Sequence, residues 1–258
     1  MSFRFKQFFV EDDRCAMKVG TDGVLLGCWA PTSHLTFDIG HLRILDVGTG
    51  SGLIALMLAQ RCPSAHIDAI DIDPNAIQQA KENFERSVFS HQLSAFNSSL
   101  QDWQNRQFLA IEQSIVNRQS SNRQLYDLVV SNPPYFRNSL KNPDKGRELA
   151  RHTDTLSYDD LFRHSARLLN EHGQLALILP AETENDVRET AERYSLFITR
   201  VTRVYSKPSK PARRVLMTFD KLSIVNCQFS IIEDVLVLEN ETGGRSAAYQ
   251  QLCQEFYL

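Results

Sequence analysis

The chain has 258 residues, of which 42% are hydrophobic and 23% charged, and its formal net charge is −3 at pH 7. These values are ordinary for a soluble globular protein with one large domain, or one domain and an appendage. They exclude a globally basic protein, so any nucleic-acid-binding surface has to be local. The longest apolar run, residues 53–59, is far too short to span a bilayer.

Cysteine usage and the N-terminal sequence indicate the compartment. The cysteines are odd in number, scattered and without a CxxC pair, which favours reduced thiols over a disulfide framework or a zinc site. No basic segment followed by an apolar one opens the chain, as it would in a secretory signal. We therefore expect a cytoplasmic protein with no membrane partner and no bound metal. The five cysteines are Cys15, Cys28, Cys62, Cys227 and Cys253.

The first thirty residues combine basic and aromatic side chains. Arg4 and Lys6 alternate with phenylalanines, and such interleaving suits nucleic acids because rings stack on bases and cations meet phosphates. A short strand that docks its phenylalanines on the core explains the pattern equally well. Asp22 is placed to cap a short helix that runs to about Trp29.

The strongest local pattern is a glycine-rich turn. An apolar strand at residues 44–47 ends in Gly48, Gly50 and Gly52, and an apolar helix follows. Glycines permit positive φ and a close approach of the backbone, and a helix N-terminus offers free N–H groups. The GxGxG spacing differs from the GxGxxG of dinucleotide-binding turns. Asp46 makes the turn more specific, because a carboxylate at the strand end can hold the amino group of an amino-acid-like ligand.

An acidic residue lies at the carboxyl end of the second predicted strand, residues 67–72. Asp73-Pro74 is a typical helix start, which leaves Asp71 at the carboxyl end of the strand, 23 residues (71 − 48) after Gly48. An acid in this place conventionally binds ribose hydroxyls, and a solvated carboxylate is the alternative. The order of strand, glycine turn, helix, strand, acid and helix predicts a doubly wound α/β fold.

The next segment yields a weaker candidate. Residues 94–103 predict a short third strand and a turn, which place Asp102 where its carboxylate can accept a hydrogen bond from an adenine amine. Residues 104–124 are rich in Gln, Asn, Arg and Ser. That composition is typical of a surface excursion with at most a short helical piece.

A stiff loop follows the fourth predicted strand, residues 126–130. In SNPPY each proline removes a backbone donor and fixes φ. The loop presents the Asn132 amide, the Pro133 carbonyl and the aromatic face of Tyr135 at the carboxyl edge of the sheet, where open α/β sheets bind ligands. This set of groups suits the binding of a flat, amine-bearing ring. The alternative is a rigid turn whose tyrosine packs into the core.

The remainder predicts three further strands and two basic segments. We expect a flap at residues 136–152, a helix that ends near Gly173, and strands at 174–179, 197–205 and 214–220, which makes seven strands. A basic cluster without any acid lies between the last two predicted strands and extends to the first residue of the second one. It is either a phosphate-contacting edge or a solvated loop. It contains Lys207, Lys210, Arg213 and Arg214.

Taken together, these motifs resemble the class I S-adenosylmethionine-dependent methyltransferases. LDVGTGSG at residues 45–52 looks like their cofactor loop, Asp71 like their ribose-binding acid, and SNPPY like the catalytic motif of members that methylate amines. A narrower resemblance covers nearly the whole chain. FKQFFV at residues 5–10, residues 14–31 and the ending EFYL look like the bacterial valine-tRNA adenine methyltransferase family, which methylates the exocyclic amine of adenosine 37 beside the anticodon.

The resemblance implies a Rossmann-like, doubly wound α/β fold. Its mostly parallel sheet has seven strands, helices on both faces and an antiparallel last strand. Residues 1–30 then form an N-terminal arm and cap over the site, and residues 31–258 form a single catalytic domain with a C-terminal extension. S-adenosyl-L-methionine is the implied cofactor and valine tRNA the implied partner. The oligomeric state stays open, with a monomer favoured.

The resemblance also implies a role for each candidate residue. Asn132, Pro133 and Tyr135 orient and stack the target base. Cofactor contacts are assigned to Asp46 (amine), to Gly48, Gly50 and Gly52 (methionine carboxylate region), to Asp71 (ribose), to Asp102 (adenine), and to Lys18 and Asp22 as residues that close over the cofactor. Candidate RNA contacts are Arg4, Lys6, Lys207, Lys210, Arg213 and Arg214.

Two other functions are compatible with the sequence. The loop chemistry would also accept another planar amine or amide, in ribosomal RNA, in DNA or in a protein glutamine. A non-catalytic RNA-binding module is the second alternative, and the intact SNPPY loop disfavours it.

Overall fold

The computed structural model of the protein describes residues 2–32, 42–116, 125–134, 156–221 and 230–257. Tyr135, Cys227 and the expected flap at 136–152 lie outside the described residues. The other four cysteines are buried free thiols. No helix within these five segments is both long and apolar enough to cross a membrane.

The described elements alternate between strands and helices along most of the chain. The strands are β1 (Ser2–Arg4), β2 (Phe9–Glu11), β3 (Arg43–Val47), β4 (His66–Asp71), β5 (Leu93–Asn97), β6 (Tyr126–Ser131), β7 (Leu169–Pro180), β8 (Leu196–Tyr205), β9 (Ala212–Lys221) and β10 (Ile232–Val237). The helices are α1 (Thr21–Trp29), α2 (Leu53–Arg61), α3 (Pro74–Glu85), α4 (Leu100–Val116), α5 (Tyr158–Leu168), α6 (Glu184–Arg193) and α7 (Ala247–Cys253). Short 3₁₀ helices span Ser90–Gln92 and Ala181–Thr183.

The main sheet has eight strands in the order β10-β8-β9-β7-β6-β3-β4-β5. The pairs β7–β6, β6–β3, β3–β4, β4–β5 and β10–β8 are parallel, whereas β9 is antiparallel to both β7 and β8. This confirms the doubly wound, mostly parallel α/β sheet and the antiparallel last predicted strand. The count of seven strands was one too low.

The additional strand is β10 at the sheet edge. Its sequence, IEDVLV, has two acids directly after its first residue, and acids are poor strand formers, so the sequence pattern did not indicate a strand. In the fold both acids meet arginines of β8: Arg203 Nη1 lies 2.9 Å from Glu233 Oε2, and Arg200 Nη2 lies 2.7 Å from Asp234 Oδ2. Cross-strand ion pairs therefore compensate for the weak propensity.

The surface excursion predicted at residues 104–124 is wrong for residues 104–116, because α4 is a helix of 17 residues. Its buried face carries Leu100, Trp103, Gln104 and Gln107, which recur at helical spacing. Two of these four residues are glutamines, and their polarity concealed the amphipathic period in the sequence.

The helix expected to end near Gly173 ends at Leu168 instead, and β7 starts at the next residue. Gly173 lies within the strand, beside a register irregularity between β6 and β7. A Cβ atom at this position would lie 2.8 Å from the Tyr126 carbonyl oxygen. The glycine therefore permits a close approach of two strands and does not cap a helix.

Helices cover both faces of the sheet, as predicted. One buried cluster joins α1, α2, α3 and α7 to one face, and a second cluster joins α4, α5 and α6 to the other. The N-terminal arm belongs to the first cluster, since Phe5 and Phe8 are 3% and 6% exposed. These two phenylalanines therefore dock on the core and are not available to stack on a base.

Candidate active site

One cavity of about 590 Å³ opens at the carboxyl edge of the parallel strands. The segments that follow β3, β4, β5 and β6 all meet there, because parallel strands end at the same edge of a sheet. Its size falls within the usual range for small-molecule sites. The arm covers one side of it through Cys15, Ala16 and Met17.

The glycine turn after β3 has two functions. Gly48 and Gly50 have φ of +72° and +55°, and a Cβ atom at either position would meet nothing within 4 Å. These two residues line the cavity and keep its floor open to a ligand. Gly52, with φ of +81°, does not line the cavity. A Cβ there would lie 2.4 Å from Phe84 Cε1, so this glycine leaves room for the Phe84 ring of α3 at the start of α2.

Asp71 at the end of β4 is held rigidly by two backbone amides. Its Oδ2 accepts a hydrogen bond from Gly50 N at 2.9 Å, and its Oδ1 accepts one from Asp73 N at 3.0 Å. The carboxylate lines the cavity. Because each oxygen has a further lone pair, Asp71 can still accept two hydrogen bonds from a ligand.

Asp46 lies behind the glycine turn and is fully buried. Thr49 Oγ1 donates to its Oδ2 at 2.6 Å, and Asp46 is not among the residues that line the cavity. Burial raises the pKa of Asp46 to about 7, and the Thr49 hydrogen bond opposes that shift. Because the folded pKa exceeds the ordinary value of 3.8, this carboxyl lowers the free energy of unfolding as pH rises from 3.8 towards 7. Its role as an amine ligand stays a prediction.

The pH dependence of ligand binding tests that role. If ionised Asp46 holds the ligand's ammonium group, the affinity for S-adenosylmethionine should rise roughly 8-fold from pH 6 to 7.5, in proportion to the ionised fraction. The ligand's own amine keeps most of its charge in this range. Calorimetry with 5′-methylthioadenosine, which lacks the amino acid portion, is the control and should show no such rise. An equal rise for both ligands, or a flat profile for both, would limit Asp46 to supporting the turn.

Residues 131–134 of the SNPPY loop form part of the cavity wall. Ser131 Oγ donates to the Val47 carbonyl at 2.8 Å, which ties the end of β6 to the end of β3. Asn132 is half-buried, and its Nδ2 lies 4.0 Å from Met17 Sδ in the arm. Pro133 is buried, and Asn132, Pro133 and Pro134 all line the cavity. The predicted amide and carbonyl acceptors therefore share one cavity with Asp71.

Asp102 lies in the first turn of α4, on the cavity wall. Ser99 Oγ donates to Asp102 Oδ2 at 2.7 Å and accepts from Asp102 N at 3.1 Å. This arrangement resembles a capping box and fixes the start of the helix. The structure thus brings Asp102 to the cavity, and its contact with an adenine amine stays a prediction.

His164 is a cavity residue that the sequence did not indicate. It lies on the buried face of α5, and its Nδ1 is 2.7 Å from Gln104 Oε1 of α4. Burial and the neighbouring Arg163 lower its pKa, so the imidazole is neutral near pH 7. The amphipathic period of α5 places His164 on the core side, but no sequence signal connects that side to the cavity.

Two predicted cofactor residues lie away from the cavity. Lys18 Nζ donates to the carbonyl oxygens of Asp12 and Asp13 at 2.8 and 3.1 Å, which closes the arm on itself. Asp22 Oδ2 lies 2.8 Å from Arg214 Nε, so this acid joins α1 to β9. Neither residue is part of the cavity wall. Their closing over a cofactor stays a prediction.

The predicted RNA contacts fall on two separate parts of the surface. Arg4 is exposed on β1, and Lys6 Nζ donates to the Gln254 carbonyl at the end of α7 at 2.6 Å. Arg214 pairs with Asp22, as described above. The remaining three lie on or beside the β8–β9 turn, where Lys210 and Arg213 are exposed and Lys207 Nζ is 3.8 Å from Glu239 Oε2.

Solved structures with this fold include two methyltransferases. A predicted O-methyltransferase from Agrobacterium tumefaciens aligns with a TM-score of 0.62 and 18% identity, over 91% of this chain and 96% of that one. A structure assigned as a class I S-adenosylmethionine-dependent methyltransferase from Listeria monocytogenes aligns with a TM-score of 0.52 and 14% identity, over 83% of this chain and 62% of that one. The model of the methyltransferase small domain family matches residues 32–190. The matched domain therefore defines a methyltransferase, and the two solved structures share its fold.

Sequence relatives narrow this class. Proteins named tRNA1(Val) (adenine(37)-N6)-methyltransferase from Parabacteroides distasonis and Phocaeicola vulgatus are each 43% identical over 256 residues, 99% of this chain and 97% of the relative. The protein of that name from Trichodesmium erythraeum is 42% identical over 258 residues, with the same coverage. The chain belongs to this family of tRNA adenine methyltransferases, which confirms the resemblance found in the sequence.

Proposed function

We propose that this protein transfers a methyl group from S-adenosylmethionine to the exocyclic amine of adenine 37 in a valine tRNA. The carrying observation is that one cavity is lined both by Asp71 with Gly48 and Gly50 and by the Asn132–Pro133 acceptors. A nucleoside-type cofactor and a planar amine can therefore be held side by side. Family membership supports the same reaction and the same substrate.

The cavity fits the cofactor on several counts. Gly48 and Gly50 leave open space at the turn, and the Asp71 carboxylate has free lone pairs for two ribose hydroxyls. Ile72 lines the same cavity with 57% of its surface exposed, so an apolar face is available to a planar ring. S-adenosylmethionine supplies, when bound, a methyl group already activated on a sulfonium. We propose Gly48, Gly50, Asp71 and Asp102 as its contacts.

Asn132 and Pro133 act on the target amine. The exocyclic nitrogen of adenine is a poor nucleophile because its lone pair is delocalised into the ring. Hydrogen bonds from that amine to the Asn132 side-chain oxygen and the Pro133 carbonyl favour a pyramidal nitrogen and aim its lone pair. Positioning of this kind supplies most of the rate when the methyl donor is already activated. Tyr135, outside the described residues, is proposed to stack on the base.

We assign no side chain as a dedicated base. His164 is the titratable imidazole on the cavity wall, but its Nδ1 contacts Gln104 and its Nε2 lies 3.5 Å from Arg163 Nη2. The proton that the amine loses when the N–C bond forms therefore passes to solvent. Before the reaction, the target adenine has to leave its stack in the RNA. This step costs a few kcal/mol, and less in a loop than in a duplex.

Methyl transfer to defined RNA tests the proposal. Total tRNA from a strain that lacks the gene, incubated with the protein and labelled S-adenosylmethionine, should yield N6-methyladenosine in one valine tRNA by nucleoside mass spectrometry. A transcript of that tRNA with guanine at position 37 is the matched control and should accept no label. Label in ribosomal RNA, DNA or a protein glutamine, with none in tRNA, would retain the chemistry and overturn the substrate.

A further inference from the structure

The turn between β8 and β9 lies at the same edge of the sheet as residues 131–134 of the SNPPY loop. Strands β6, β7 and β8 run in one direction and β9 runs against them, so β8 ends and β9 begins where β6 ends. The register places Arg214 opposite Pro180 on β7, whereas Ser131 pairs with Leu177 three residues earlier. The turn therefore projects beyond the cavity on the cavity side of the molecule.

This turn is stiff and carries only positive charge. Its residues 206–211 include two prolines, and Lys210 N donates to the Lys207 carbonyl at 3.1 Å. The stretch from 206 to 214 contains four cations and no acid. Within the part of the chain that the structure describes, neither Lys210 nor Arg213 forms an ion pair, and both are exposed.

The nearby cations on β8 differ from those of the turn. Arg203 contacts Glu184 and Glu233, and Arg200 contacts Asp234. These acids neutralise the two arginines of β8, whereas the tip of the turn keeps its positive charge. A stiff turn loses little backbone entropy when an anion binds to its side chains.

We infer that the β8–β9 turn docks the phosphate backbone of the RNA whose base enters the cavity, through Lys210 and Arg213. The inference rests on the proposed function. Strand β9 lies two strand spacings of about 4.8 Å from β6, because β7 stands between them. Along β7, the partner of Arg214 lies three residues of about 3.3 Å beyond the partner of Ser131. The turn therefore begins roughly 15 Å from Asn132, close enough for one RNA to reach both. The turn contacts phosphates and the cavity reads the base.

The salt dependence of RNA binding measures these contacts directly. The variant Lys210→Gln/Arg213→Gln should bind the transcribed valine tRNA roughly 30-fold more weakly at 0.1 M salt, and its log–log salt slope should be shallower by about 1.4–1.8. The matched control is Lys81→Gln/Arg167→Gln, which removes two exposed cations from α3 and α5. The control should keep the affinity and the slope of the wild type. Calorimetry with S-adenosylmethionine should give the same affinity for all three proteins.

The outcomes separate this inference from the proposed function. Wild-type methylation of the tRNA, together with an unchanged salt slope in the turn variant, would overturn the inference and leave the function intact. Equal weakening in the control would mean that net charge, and not the turn, governs binding. A wild-type protein that neither binds nor methylates tRNA would overturn both. If it then binds an acidic protein through Lys210 and Arg213, the turn is a protein-docking surface and the RNA assignment is wrong.

Discussion

Asn132→Ala is expected to lower kcat for tRNA methylation by at least about 10²-fold, because it removes the acceptor that orients the amine in the transition state. The affinity for S-adenosylmethionine should stay within about 3-fold, since Asn132 follows β6, two strands away from Asp71 at the end of β4. Single-turnover methylation with saturating RNA and cofactor, alongside calorimetry, gives both quantities. The loss should therefore appear in the chemical step and not in cofactor binding.

Asn132→Asp is the informative companion variant. It retains an acceptor oxygen at the same place and removes the amide NH2 that faces Met17 Sδ at 4.0 Å. We expect kcat to lie between those of the wild type and the alanine variant, because the amine keeps both of its acceptors, whereas the loop loses the NH2 group that faces Met17. Near wild-type turnover of Asn132→Ala would contradict the assignment. Equal loss in both variants, with an intact melting transition, would mean that the NH2 group matters more than the oxygen.

The sequence predicted the parts of the fold in which local pattern and burial agree. Three predicted apolar strands, which end in glycine, in an acid and in the Asn-Pro-Pro turn, correspond to β3, β4 and β6. Their predicted bounds agree with the structure within one residue at each end. Their order along the chain also indicated where the site lies. Parallel strands end at one edge, so residues that follow successive strands meet without any further information. Gly48, Asp71 and Asn132 could be placed together for this reason.

Elements that depend on partners distant in sequence were not predictable. The acids of β10 become compatible with a strand only beside Arg200 and Arg203, and the buried glutamines of α4 only where Gln104 meets His164. Asp46 illustrates the same limit within the site. The sequence placed it at a strand end, and only the three-dimensional packing shows that it lies behind the turn, fully buried.

Asp71→Ala is expected to weaken S-adenosylmethionine binding by roughly 10²-fold, because it removes two charge-assisted hydrogen bonds of about 1.5–3 kcal/mol each, part of which water replaces. The same change also releases the amides of Gly50 and Asp73, so some loss of order in the turn is included. Thermal shift separates the two effects. Melting without cofactor reports the loss of order in the turn, and the further stabilisation by the cofactor reports binding. Cofactor at 100 times the wild-type Kd should stabilise the wild type by about 2.7 kcal/mol and the variant by only about 0.4 kcal/mol.

Asp73→Asn provides the matched control for the charge. Asp73 also lines the cavity, and its Oδ1 caps α3 by accepting from Asn75 N at 2.8 Å. Asparagine is an equally good N-cap, so this variant removes one negative charge from the cavity mouth without loss of the helix. Its cofactor affinity should change by less than about 3-fold. If both variants lose affinity equally, the cavity attracts the sulfonium through its general negative potential, and the specific ribose contact of Asp71 is refuted.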